Sequence, residues 1–144
     1  MQISSRFTIA VHVLICIETF KNDNKVTSDF LASSVNVNPV VIRRLLQQLK
    51  KAGLVNVKRG SGGADIEKPL DEITLLDVYN AVECVEEGKL FHFHESPNPL
   101  CPVGKNIHTL LDVRLDDIQN AMEREMGSVS IQEIMNDAEK LIKI

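Results

Sequence analysis

The sequence predicts a mainly helical fold with one small β-hairpin and one helix far longer than the rest. Three observations carry that expectation. Apolar residues recur at spacings of three and four through much of the 144-residue chain, as in helices with one buried face. Leu54-Val-Asn-Val-Lys58 instead alternates like a half-buried strand, and the Gly-rich Arg59-Gly-Ser-Gly-Gly63 follows it, a turn that a second strand, Ala64 to Ile66, can close. Neither Pro nor Gly interrupts the chain between Lys105 and Met126, which allows roughly 33 Å of helix at ~1.5 Å per residue.

The elements follow in order. Ser4 or Ser5 can cap a helix running to about Phe20, apolar nearly all round through Phe7, Ala10, Val11, Leu14 and Ile17, and so buried between other elements. After the polar turn Lys21 to Asn24, Thr27 is placed to cap a short helix from Ser28 to about Ser34, with Phe30 and Leu31 inward. Asn36-Val-Asn38 breaks it. Asn38-Pro39 then combines a good cap with proline at the first helical position, and Gly53 stops the helix that follows. That helix has an inner face of Ile42, Leu45, Leu46 and Leu49 and an outer face of Val40, Arg43, Arg44, Gln47, Lys50 and Lys51. Thr74 caps a further helix expected to reach about Val85. Residues 86–101 are irregular. The long helix follows Pro102, with the stripe Val103, Ile107, Leu111, Leu115, Ile118 and Met122, and ends at Gly127. Ser130 and Glu133 form the capping box of a last helix.

Composition narrows the function. With 44% apolar and 25% charged residues the chain can build one core. Trp is absent and aromatics are 4%, which disfavours aromatic-rich recognition surfaces. The apolar run Ile9 to Ile17 is broken by His12 and far too short to span a bilayer, and no signal-peptide cleavage pattern follows it. Three dispersed cysteines make no disulfide framework, so a cytoplasmic location is expected. Charge is uneven. Residues 1–68 carry ten basic and five acidic side chains, residues 69–144 six and fifteen. One half is thus suited to a polyanion that the other repels; chance clustering on a solvated surface is the plainer alternative.

Two short helices, the second basic on its outer face, followed by a basic hairpin, fit a winged helix-turn-helix. The expected division is a winged helix-turn-helix DNA-binding domain over residues 1–85, then linker and dimerisation helices over 86–144. Residues expected at DNA are Thr27, Ser28, Asn38, Val40, Val41, Arg43, Arg44, Gln47, Lys50, Lys51, Arg59, Ser61, Gly62 and Gly63. Arginine can read guanine and glutamine adenine, Lys50 and Lys51 sit later and suit phosphate, and Arg59 beside a narrow tip can enter a minor groove. Gly60, Gly62 and Gly63 allow positive φ at that tip. The Gly-rich turn lacks the lysine and the strand-to-helix setting of a nucleotide-binding loop.

Arg6, Ala52-Gly-Leu-Val55, Arg59-Gly-Ser-Gly-Gly63, Ile73-Thr-Leu-Leu-Asp-Val78 and Cys101-Pro-Val-Gly104, in that order across nearly the whole chain, resemble the Rrf2 family of bacterial winged helix-turn-helix regulators, relatives of IscR, NsrR and CymR. The resemblance implies a homodimer on palindromic double-stranded DNA, recognition helices in major grooves, wing arginines in minor grooves, and long helices crossing to join the two copies. Ile107, Leu111, Leu115, Ile118 and Met122 would form that interface. Two departures stand out. Ala64 replaces an aromatic residue common after the wing glycines. Cluster-binding members carry three cysteines ahead of the long helix; Cys101 resembles the third, but Glu95 and Lys89 stand upstream, so no iron–sulfur cluster is expected.

Cys101 before Pro102 sits at an expected helix N-terminus, where the thiolate is favoured. It is the redox-sensor candidate, against the alternative of a loop cysteine without a role. Cys16 and Cys84 fall in apolar stretches and read as packing residues. His92, His94, Glu95, Cys101 and His108 lie close in sequence but match no standard metal spacing and read as surface residues. No nucleophile stands beside a base and an orienting acid, so no enzyme is expected. The expected function is a homodimeric, sequence-specific DNA-binding transcriptional regulator, a repressor responsive to thiol redox state. The alternatives are control by a small molecule or protein partner, or an interaction module whose basic face meets an acidic partner.

Overall fold

The computed structural model describes residues 3–23, 25–59, 62–85 and 88–142. Helix α1, Arg6–Phe20, runs through the middle of the core and buries Ala10, Val13, Leu14, Cys16 and Ile17. Helices α2, Ser28–Val35, and α3, Pro39–Lys51, pack against it as the helix-turn-helix. Their ends are set locally. Thr27 Oγ1 accepts a hydrogen bond from the Phe30 amide at 3.1 Å, and Asn38 Oδ1 from the Val40 amide at 2.9 Å, each satisfying a donor the first helical turn leaves open. Between the helices Asn36 takes a left-handed φ of 64° and its amide donates to the Ala32 carbonyl. Ile42, Leu45, Leu46 and Leu49 are all buried, so α3 presents its basic face outward together with Val40 and Val41 of its first turn.

Strands β1, Val55–Val57, and β2, Ala64–Ile66, pair antiparallel, with Val55 opposite Ile66 and Val57 opposite Ala64. The hairpin packs on α1 and α3, and a close backbone approach ties it to the segment before α2. Gly63 has φ +80°, and a Cβ there would stand 3.0–3.2 Å from backbone atoms of Val26. That approach lets the Ala64 amide donate to the Val26 carbonyl at 2.8 Å. Gly62 does not use a positive φ; a Cβ at that position would instead run into Lys58 Cβ. Gly60 and Ser61, expected at the tip, lie outside the described residues.

A short 3-10 turn, Leu70–Glu72, leads into α4, Leu75–Ala81, which Thr74 and Asp77 close with a reciprocal capping box. The sequence reading extends α4 to about Val85; it stops at Ala81. The cause is tertiary. The Arg6 guanidinium donates to the Glu83 carbonyl at 2.9 Å and the Ser4 amide to the Cys84 carbonyl at 3.2 Å. These bonds hold Glu83 at φ 48°, outside the helical region. Helix α5, Pro102–Gly127, has 26 residues and none of them is buried. Only its C-terminal part, through Met122 and Met126, lies against the core. Helix α6, Ile131–Ile142, then turns back. Ser130 and Glu133 cap it reciprocally, the Ile131 amide donates to the Ile73 carbonyl at 2.7 Å, and Ile131 and Met135 are buried with the residues of α1.

Candidate nucleic-acid interface

The outer face of α3 exposes Val40, Val41, Arg43, Arg44, Gln47, Lys50 and Lys51. Val40 is 54% exposed and Val41 38%, large apolar side chains at the first turn of a helix whose later apolar residues are buried. Such groups suit contact with a thymine methyl. The start of α2, α3 and the wing enclose a groove of about 350 Å³ lined by Ser28, Arg43, Gln47, Lys50, Lys58 and Arg59, with Leu46 and Val57 at its apolar side. Four cations therefore converge on one groove. Two are partly balanced: Arg43 lies 3.8 Å from Asp29 and Lys58 3.4 Å from Asp65. These pairs are exposed and each is worth well under ~1 kcal/mol, so a phosphate can displace the carboxylate. Arg44, Lys50, Lys51 and Arg59 enter no ion pair among the described residues. The face is built to neutralise a polyanion.

Of the residues expected at DNA, Ser28, Arg43, Gln47, Lys50 and Arg59 line this groove and Val40, Val41, Arg44 and Lys51 are exposed on the same helix, whereas Gly63 is buried against Val26 and Ser61 lies outside the described residues. Thr27 and Asn38 each use one side-chain oxygen lone pair on a helix cap, which leaves the Asn38 amide nitrogen free to donate to a base or phosphate. Lys58 and Asp29 were not picked out from the sequence. Lys58 directly follows β1 beside Arg59, and Asp29 stands in the first turn of α2.

On α5, Ile107, Leu111, Leu115 and Met122 are half-buried and Ile118 is 52% exposed. Val103, Leu110 and Val113 are also exposed, at 58–67%, so the bare apolar edge is wider than the stripe read from spacing. Cys101 is the N-cap of this helix and exposed; its side chain makes no capping hydrogen bond, but the nearby backbone amides of Gly104 and Val103 lower its pKa. Cys16 and Cys84 are buried, in α1 and beyond α4, and burial pushes the Cys84 thiol up. In the irregular segment Phe93 stacks on His108 at 4.1 Å, with His94 at 6.4 Å from the same ring.

A helix-turn-helix with a basic outer face and a wing docked beside it defines a winged-helix protein of the DNA-binding kind. Residues 3–137 match the Rrf2 family, described as "Iron-dependent Transcriptional regulator", and the chain belongs to it. YwnA of Bacillus subtilis, named as an HTH-type transcriptional regulator, is 46% identical over 134 residues, which is 93% of this chain and 97% of YwnA. A crystal structure described as that of a DNA-binding protein is 38% identical with a TM-score of 0.71, covering 91% of this chain and 99% of its own. CymR of B. subtilis, titled the global cysteine regulator, shares the fold at a TM-score of 0.68 and 18% identity, over 94% of this chain and 97% of CymR.

The family description raises iron, and the side chains here do not fit an iron–sulfur cluster. Such clusters are held by several thiolates. Cys101 stands alone in the linker, with Lys89 and Glu95 upstream, while the other two thiols are buried elsewhere. Among the described residues no three His, Cys, Asp or Glu side chains group closely enough to hold a metal ion.

Proposed function

We propose that this regulator acts as a cluster-free homodimeric repressor, joined through α5 and reading a two-fold symmetric DNA site with α3 and the wing of each copy. The observation that carries the reading is the state of α5: 26 residues, none buried, with Val103, Leu110, Val113 and Ile118 exposed along one side. At ~1.5 Å per residue it is about 39 Å long, and a second copy of the same helix matches that length and chemistry. A closed two-fold arrangement makes the surface self-complementary and holds two recognition helices to read successive major grooves about 34–36 Å apart. Residues 1–85 supply the DNA contacts; the later segment supplies the dimer. The lowered pKa of exposed Cys101 supports a thiol sensor at the N-terminus of the dimer helix. Oxidation there to a sulfenic acid or mixed disulfide adds bulk beside the joint between the two parts. The expected location is the cytoplasm.

Selection of binding sites from random DNA, with sedimentation of the protein alone and bound, tests this reading. Inverted repeats bound by two chains are expected. Single asymmetric sites bound by one chain would refute it.

A further inference from the structure

A cavity of about 500 Å³ lies where α4, the turn after it and α5 meet, away from the DNA face. Its volume is in the range of small-molecule sites. Tyr79, Asn80, Glu83, Cys84 and Glu123 are among its lining residues. Tyr79 is only 3% exposed, and its hydroxyl is buried without a hydrogen-bond partner among the described residues. The ring is held in place by an edge contact with Phe7, centroids 6.3 Å apart. Buried hydroxyls in native proteins are nearly always satisfied, so an unpartnered one in the wall of a cavity marks a place where a bound molecule completes the bond. Burial, with Cys84 and Glu123 nearby, raises the Tyr79 pKa, so the group is a neutral donor.

The charge of the cavity selects the ligand. Glu83 and Glu123 line it and no lysine or arginine does among the described residues. The nearby Arg6 guanidinium donates to the Glu83 carbonyl and Ser4 Oγ and its charge reaches Cys84, so it offsets one of the two carboxylates and leaves the cavity with a net negative charge. We propose that this cavity is the effector site of the regulator, taking a small organic cation, an amine or guanidinium on a short polar chain. The carboxylates hold the charge, and Tyr79 and Asn80 bond to the polar end. One wall belongs to α4, which packs with α1 and α3, and the other to α5. A bound molecule therefore sets the angle between the DNA-reading core and the dimer helix, and through it the spacing of the two α3 helices. This role rests on the dimeric DNA-binding reading above.

The test uses the full chain, agmatine and histamine as probes and succinate as the charge control. Calorimetry is expected to show binding of at least one amine and none of succinate. Tyr79→Phe should weaken that amine about 5- to 20-fold and Glu123→Gln more. Free Tyr79→Phe should melt no lower than wild type, because the hydroxyl it removes has no partner. Agmatine or histamine should shift affinity for the selected DNA site by about fivefold or more, and Tyr79→Phe should blunt the shift. Binding of neither amine, equal binding by both variants, a lower melting temperature in Tyr79→Phe, or amine binding without an effect on DNA affinity would each overturn the site. A wild-type chain that fails to bind DNA both with and without amine refutes the regulator reading instead; intact DNA binding with no amine effect removes only this cavity.

Discussion

The wing is held to the helix-turn-helix by a backbone contact that only glycine permits, and two glycine substitutions separate that contact from conformational strain. Gly53 and Gly63 share the same φ, +80°. A Cβ at Gly53 meets nothing within 4 Å, whereas one at Gly63 meets the Val26 carbonyl oxygen at 3.0 Å and the Val26 nitrogen at 3.1 Å. Alanine at either position carries the left-handed backbone penalty, about 1–2 kcal/mol. At Gly63 the strand must also retreat from Val26, which stretches the bond from the Ala64 amide to the Val26 carbonyl and disturbs that from the Lys58 amide to the Gly63 carbonyl, 2.8 and 2.9 Å long. Two weakened bonds at about 0.5–1.5 kcal/mol each put Gly63→Ala at roughly 2–5 kcal/mol. Urea melts of both variants should therefore differ by about 1–3 kcal/mol, with Gly63→Ala the weaker. Because the shift falls on the segment entering α2 and on the wing, Gly63→Ala should also lose more DNA affinity in a fluorescence anisotropy titration than Gly53→Ala does. Equal destabilisation of the two, within about 0.5 kcal/mol, would show that the approach to Val26 does not hold the wing.

Further outcomes follow from the same surfaces. Arg59→Ala should weaken the selected site by about 1–3 kcal/mol, while Lys51→Ala should weaken all sequences alike and flatten the salt dependence by about one unit; wild-type behaviour in both would remove wing and helix from the interface. Ile118→Lys puts a charge on the bare edge of α5 and should give monomers by sedimentation, whereas an unchanged dimer would place the seam elsewhere. Because amides lower the Cys101 pKa, its alkylation by iodoacetamide should rise at a lower pH than that of a free cysteine, with Cys16 and Cys84 labelled only on unfolding. If Cys101 is the sensor, Cys101→Ser should also lose the response of DNA binding to oxidant. Anaerobic purification with iron should yield no visible cluster absorbance.

Much of the architecture follows from residues within four positions of one another. Thr27, Asn38-Pro39, Thr74 and the Ser130–Glu133 pair mark helix starts because capping is a local bond, and the inner face of α3 is readable because 3.6-residue periodicity needs no partner to be seen. The basic outer face of α3 and the wing arginine follow from the same periodicity, so most of the candidate DNA surface was legible, and the N-cap position of Cys101 follows from Pro102. Distant contacts decided the rest. Helix α4 ends at Ala81 because Arg6 holds the Glu83 carbonyl, 77 residues away in sequence. Helix α6 joins the α1 core through the Ile131–Ile73 bond, which no local pattern in either segment announces. The width of the bare edge on α5, with Leu110 and Val113, depends on how much of the helix the core takes up through Met122 and Met126. The unpartnered Tyr79 hydroxyl depends on α4 and α5 meeting without supplying it an acceptor. Local chemistry thus determined which helices form and where they begin; the bonds and packing between segments far apart in the chain decided where α4 stops, what covers the core, and which surfaces remain open.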